Sequence, residues 1–195
     1  MARISTEERQ DMIIDEAIKI IHIGGYQSFS IRELSKQVKI SEPAIYRHFL
    51  NKEDIVLGIL NRIIELDNLV EKELQTKKTS KDKFKDFILV RIKFLEKNPE
   101  MTSVLFSEEI FNSSDILSKR MKIMIQKRKQ LIIDILEDAK YAGEIPNIIT
   151  ENLLSIIMGS IRMIVLEWRM SNYKFSLVKR GESILQTLNE LIFIS

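Results

Sequence analysis

The sequence predicts an all-α protein of two domains, and three observations carry that expectation. Apolar residues recur at helical spacing along almost the whole chain. Only three prolines occur in 195 residues, Pro43, Pro99 and Pro146, and two of them stand where a helix should begin. Serine followed three residues later by glutamate, a helix-starting pair, occurs at Ser5/Glu8 and again at Ser30/Glu33.

The first helix is expected from about Thr6 to Ile23. Met12, Ile13, Ala17, Ile20 and Ile21 form its apolar side, and Gly24-Gly25 supplies the stop. A second, short helix follows the Ser30 cap, with Ile31, Leu34 and Val38 as its buried stripe. The third runs from Glu42 to Phe49 under a Ser41 cap. Pro43 falls in its first turn, where a missing N–H costs nothing because that donor has no intrahelical partner. Asn51 caps a long fourth helix through Leu57, Leu60, Ile64 and Leu74, which fades in the polar run "QTKKTSKDK". Five further helices are read near 81–97, 100–111, 114–142, 150–170 and 175–194. The expected division is a helix-turn-helix domain over 1–52 and a ligand-binding and dimerisation domain over 53–195, with helix 52–76 linking the two and a boundary near 76–80.

Composition removes several function classes. There is no cysteine, so disulfides, thiol nucleophiles and cysteine metal sites are excluded. The two histidines, His22 and His48, lack metal-pair spacing. Glu108 and Glu109 are adjacent on a helix and do not share a face, so they make no carboxylate pair. No glycine-rich phosphate loop or nucleophile motif is present, and no metal or cofactor is expected. The polar start "MARISTEERQ" and the charges interrupting Leu153–Met170 argue against signal peptide and membrane span alike. The expectation is a soluble cytoplasmic protein that is not an enzyme.

The net charge of +2 is small, but its distribution is uneven. Residues 1–29 hold three basic and five acidic side chains, whereas residues 30–52 hold five basic and two acidic. Positive charge thus gathers on two short helices joined by "VKI", which have helix-turn-helix spacing. In such a motif the second helix enters the major groove and its outer face meets bases and phosphates. Glu42, Pro43, Ala44 and Arg47 would point outward. Small Ala44 lets the backbone approach the bases, and Arg47 can bond guanine bidentately. Tyr46, His48 and Lys52 suit phosphate oxygens, since phenol, imidazole and ammonium all donate. A half-buried structural role is the competing reading of Tyr46, and a helical hairpin serving a protein partner is the competing reading of the whole motif.

The stretch "FSIRELSKQVKISEPAIYRHFLNKEDIV", residues 29–56, resembles the DNA-binding signature of the TetR/AcrR family of transcriptional regulators. The resemblance implies a nine-helix architecture, a homodimer, binding to palindromic operator DNA, and a small apolar or amphipathic effector that releases it, most simply as a repressor. It makes Glu42–Phe49, capped by Ser41, the recognition helix and adds Ser30 and Arg32 as backbone contacts. Lys39 departs from the glycine usual in that turn. Either the turn differs, or Lys39 accepts a left-handed conformation at roughly 1 kcal/mol and offers a phosphate contact.

In the remaining part, two features invite function. The run "SKRMKIMIQKRKQ" carries six basic residues and no acid, which reads as a solvated helix face or as a contact for an acidic partner or ligand. Arg91, Arg128 and Arg162 interrupt apolar stripes and need partners if buried. The partner is Glu108, Glu109 or Glu167, or else an acidic group on an amphipathic ligand held beside Phe106, Met158 and Trp168. The stripe Leu177, Gly181, Ile184, Leu185, Leu188 and Leu191, with the apolar helix before it, suits a dimer seam through the last two helices. A core role within one subunit is the alternative.

Overall fold

The computed structural model describes residues 5–77 and 79–194, and among them every regular element is helical. Ten α-helices occur in the order α1 (Thr6–Ser28), α2 (Ile31–Val38), α3 (Glu42–Tyr46), α4 (Lys52–Gln75), α5 (Ser80–Lys97), α6 (Thr102–Leu105), α7 (Glu108–Asn112), α8 (Asp115–Tyr141), α9 (Thr150–Met170) and α10 (Leu177–Ile192), with a 3₁₀ turn at Pro99–Met101. The 3₁₀ turn, α6 and α7 together occupy the place of one expected helix, so the nine-helix plan holds with its sixth member broken. The break has a local cause. Ser107 is extended, and its hydroxyl accepts from the Ile110 amide, starting α7 afresh.

The chain forms two compact units. One contains residues 1–65 and 98–124, the other 66–97 and 125–195. Lys78, inside the boundary expected at 76–80, lies outside the described residues.

The first unit is organised around α1. Both bonds of its Ser5/Glu8 capping box form. The helix breaks at Gly25, whose φ of 75° and ψ of 174° are open only to a residue without Cβ. Ile13, Ala17 and Ile21 from α1 are buried with Phe29, Leu34, Ile45, Ile55, Ile59, Val104 and Ile110. Two polar clamps add direction to that core. The Arg62 guanidinium reaches Asp11 at 2.7 Å and Asp15 at 2.5 Å, and His22 Nδ1 lies 2.9 Å from Ser103 Oγ.

In the second unit α10 packs against α5 and α9. Phe84, Phe87, Ile92, Ile132, Leu136, Ile157, Ile164, Trp168, Leu177 and Leu188 fill the interior. Here one expectation is corrected. Leu177, Gly181, Leu185 and Leu188 are buried within the subunit, so the core reading of that stripe holds and only Leu191 remains well exposed. Gly181 serves close approach to α5, since a Cβ there would stand 2.4 Å from Ile92 Cδ1. Ile92 is itself fully buried and cannot swing away. Gly181→Val is therefore expected to cost about 1–3 kcal/mol by overpacking, read as a lower urea midpoint at unchanged slope.

The arginines are also corrected. Arg91 and Arg128 meet neither Glu108, Glu109 nor Glu167. Both converge on Asp67 of α4, which is 5% exposed. Arg128 Nε donates to Oδ2 at 2.7 Å and Arg91 Nε to Oδ1 at 3.1 Å. Arg91 Nη1 donates to the Phe87 carbonyl at 2.7 Å, and the guanidinium lies 4.2 Å from the Phe87 ring centre. Its Nη2 is buried 3.0 Å from Asp67 Oδ1 but out of line for a hydrogen bond. Two cations thus share one carboxylate. Arg162, by contrast, is exposed on α9.

Candidate nucleic-acid interface

Three local devices set the α2–α3 hairpin. Ser30 Oγ accepts from the Glu33 amide at 3.1 Å, while the Glu33 carboxylate turns to Gln37 and Lys36 and does not close the second capping box. Lys39 ends α2 with φ 58° and ψ 43°, so the non-glycine residue does adopt the left-handed conformation. Ser41 Oγ then accepts from the Ala44 amide at 3.3 Å, and Pro43 fills the first turn of α3. Accepting through oxygen leaves both hydroxyl protons of Ser30 and Ser41 free to be donated outward.

The third helix is shorter than expected. Regular geometry stops at Tyr46, and the amides of His48 and Phe49 both bond to the Ile45 carbonyl at 2.8 and 3.1 Å. The cause is the next helix start. Asn51 Oδ1 accepts from the Asp54 amide while Asp54 Oδ2 accepts from the Leu50 amide, a reciprocal pair that fixes the reversal between Phe49 and Lys52. The box was not legible as serine–glutamate because its residues are asparagine and aspartate.

Ile45, at 0% exposure, and Phe49 anchor this hairpin inward. Glu42, Pro43, Arg47, Ser41, Lys39, Arg32 and Ser30 are exposed and Ala44 is half-buried. Tyr46 is 51% exposed. No ion pair among the described residues engages Arg32, Lys39 or Arg47, whereas Lys36 is paired with Glu33 at 3.6 Å. Three uncompensated cations therefore stand on one short hairpin, and that is what a phosphate-facing surface requires.

Two sequence-predicted contacts behave differently. His48 is half-buried, its Nδ1 is enclosed without a partner, and its backbone carbonyl accepts from Gln10 Nε2 at 3.3 Å. Lys52 donates to the Tyr26 carbonyl at 2.8 Å and rests 3.7 Å from the Tyr26 ring centre. Burial there lowers its pKa, and Glu109 partly offsets the effect. Lys52 thus ties the start of α4 to the last turn of α1, just past its break at Gly25, and retains two protons for another acceptor.

The residues expected at an effector are divided between the two units. Phe106 belongs to the first unit, and Arg91, Arg128, Met158, Arg162 and Trp168 to the second. Trp168 is buried, donates its indole N–H to the Phe175 carbonyl at 2.8 Å and stacks edge-on with Tyr173. No group of three or more His, Cys, Asp or Glu side chains among the described residues is placed to hold a metal ion, and no helix among them is long and apolar enough to cross a membrane.

Known proteins resemble the chain over nearly its full length. Residues 13–59 match the family described as "Bacterial regulatory proteins, tetR family", and residues 60–190 match "YsiA-like protein, C-terminal region". The fatty acid metabolism regulator protein of Bacillus subtilis is 25% identical, covering 90% of this chain and 91% of its own. A nucleoid occlusion factor, SlmA, from Photobacterium profundum is 20% identical over 94% of this chain and 95% of its own. The crystal structure of the transcriptional regulator FadR from Bacillus subtilis in complex with stearoyl-CoA shares the fold, with a TM-score of 0.78 and 24% identity over 91% of this chain and 96% of that one. The hairpin with its exposed cations lies inside the first matched region, and the helices from α5 onward inside the second but for the last two residues of α10. The chain is a member of the TetR family of bacterial regulatory proteins, with a YsiA-like C-terminal region, and not an enzyme.

Proposed function

We propose that this protein is a cytoplasmic repressor that binds palindromic operator DNA as a homodimer and is released by a long-chain acyl thioester. The observation that carries the DNA reading is the unpaired set Arg32, Lys39 and Arg47, displayed around α3 over the buried anchors Ile45 and Phe49. Ser30, Ser41, Tyr46 and the remaining protons of Lys52 supply further phosphate donors, and Glu42, Pro43 and Ala44 face the base edges with Arg47.

Two further features support the rest of the reading. On α9 and α10, Ile156, Met163, Leu166, Met170 and Leu191 are apolar and exposed, Met170 at 76% and Leu191 at 72%. Exposed apolar residues of that kind, at helical spacing along α9, suit a twofold mate. The effector class follows from the relatives, one described as a fatty acid metabolism regulator and one holding stearoyl-CoA. Such an effector lowers operator affinity only by as much as it prefers the conformation that does not fit DNA.

A gel-shift assay on palindromes upstream of the protein's own gene tests this, with sedimentation alongside. The expected result is a salt-sensitive shift, a sedimenting species of twice the chain mass, and release by palmitoyl-CoA but not by CoA alone. A helical protein that uses the hairpin for another protein would shift no palindrome at any salt concentration.

A further inference from the structure

The acid-free basic run on α8 is not absorbed by the DNA-binding face. Its first part belongs to the first unit, together with the first half of α4. Ile116, Lys119, Arg120 and Ile123 follow one another at spacings of three and four, so they share one side of α8. Leu57 and Asn61, four apart on α4, stand opposite, and the six residues enclose an open groove of about 360 Å³.

The groove joins two chemistries. Leu57, Ile116 and Ile123 supply an apolar floor, and the two isoleucines are 56% and 53% exposed, far more than their neighbours Leu117 and Met121. Arg120 Nη2 donates to Asn61 Oδ1 at 2.7 Å. A neutral amide thus orients the guanidinium across the groove and leaves its charge intact. Lys119 stands beside it, exposed and without an ion-pair partner among the described residues, and Lys122 follows one turn on. Oriented arginine plus flexible lysine is a combination suited to phosphate oxygens. The aliphatic strip beside them fits a short apolar arm attached to those phosphates. A purely apolar ligand would leave the cations idle, and a free phosphate would leave the isoleucines in water.

We propose that this groove seats the phosphate-bearing head of an acyl-CoA, with Lys119 and Arg120 on the phosphates and Leu57, Ile116 and Ile123 along the adjoining aliphatic arm. The assignment rests on the acyl-thioester reading given above and names the part of that effector recognised here. Lys119 carries no fold-holding contact, and Arg120 holds only the exposed Asn61 amide. Charge removal at these positions leaves the core untouched.

Calorimetric titration of the full-length protein with palmitoyl-CoA, palmitate and CoA alone is the test, with Lys119→Gln/Arg120→Gln as the variant and Lys119→Glu as a second. Expected is a loss of palmitoyl-CoA affinity of about tenfold or more in the double variant, a shallower dependence on salt, and unchanged palmitate affinity, operator affinity and melting temperature. Equal palmitoyl-CoA affinity in wild type and both variants overturns the groove while leaving the effector reading intact. A wild-type protein that binds no palmitoyl-CoA overturns the effector reading and the groove with it. Parallel loss of palmitate and palmitoyl-CoA, or wild-type capture by phosphatidylglycerol vesicles in place of soluble palmitoyl-CoA, also overturns it.

Discussion

Replacing Asp67 by asparagine is expected to lower the unfolding free energy by about 3–5 kcal/mol, the usual consequence of leaving buried charge uncompensated. For a chain of this size that is a fall in melting temperature of roughly 6–20 °C. The carboxylate is the one anion, among the described residues, that Arg91 and Arg128 pair with, and its removal leaves two guanidinium groups facing each other across an amide. Truncating the other end has a far smaller expected effect. Arg91→Met is expected to change stability by no more than about 1 kcal/mol, because Arg128 then keeps Asp67 to itself and one buried cation is gone. The lost bond from Nη1 to the Phe87 carbonyl offsets part of that relief.

The titration of Arg91 supports this asymmetry. Burial is the leading cause that lowers its pKa to about 10; Asp67 pulls the other way and Arg128 adds to the lowering. The unfolded chain holds this proton to higher pH than the folded one, so above about pH 10 this group's contribution to stability rises with pH. Below it the contribution is constant and unfavourable, and at neutral pH the charge is therefore held against its own interest by Asp67. Urea unfolding of Asp67→Asn and Arg91→Met at pH 7 measures both. Equal destabilisation by the two would show that the cluster acts as a simple staple.

Much of this was legible in the chain, and the parts that were not share a cause. Caps, breaks and apolar periodicity are local, so Ser5, Gly25, Ser41 and Pro43 could be assigned from their neighbours alone. The broken sixth helix was also within reach, because Ser107 ahead of Glu108 and Glu109 has the signature of a helix start. Partnerships across helices were not. Asp67 lies on the apolar-patterned α4, 24 residues from Arg91 and 61 from Arg128, and nothing at that range distinguishes it from Glu108 or Glu167. Gly181 shows the same limit. A glycine permits close approach, but only the fold reveals that the approaching side chain is Ile92 of the same subunit. The cationic hairpin was readable because its helices are contiguous in sequence, and the inward turn of Lys52 was not, since Tyr26 reaches it across 26 residues.

The second large effect concerns the hairpin, where the proposed reading separates base contact from backbone grip by residue. Arg47 is exposed, in no ion pair among the described residues, and placed just past the last regular turn of α3. A bidentate arginine–guanine contact discriminates by about 1–3 kcal/mol. The proposed twofold dimer would make it twice, so Arg47→Ala is expected to weaken the best operator by about 2–6 kcal/mol and to leave binding to unrelated DNA nearly unchanged. Lys39 makes the opposite case. Its left-handed backbone is strained for any residue with a Cβ, so Lys39→Gly is expected to stabilise the fold by about 1 kcal/mol. On the proposed DNA reading the same substitution removes one phosphate-contacting cation per subunit, which is expected to lower the slope of log affinity against log salt by about 1 per half-site and to weaken every sequence alike. Salt-series binding to the operator and to a scrambled duplex, with urea melts of each variant, separates the two roles. A more stable Lys39→Gly protein with unaltered salt slope would mean that the strain at this turn has no bearing on DNA, and an Arg47→Ala loss spread evenly over all duplexes would move that arginine from the bases to the backbone.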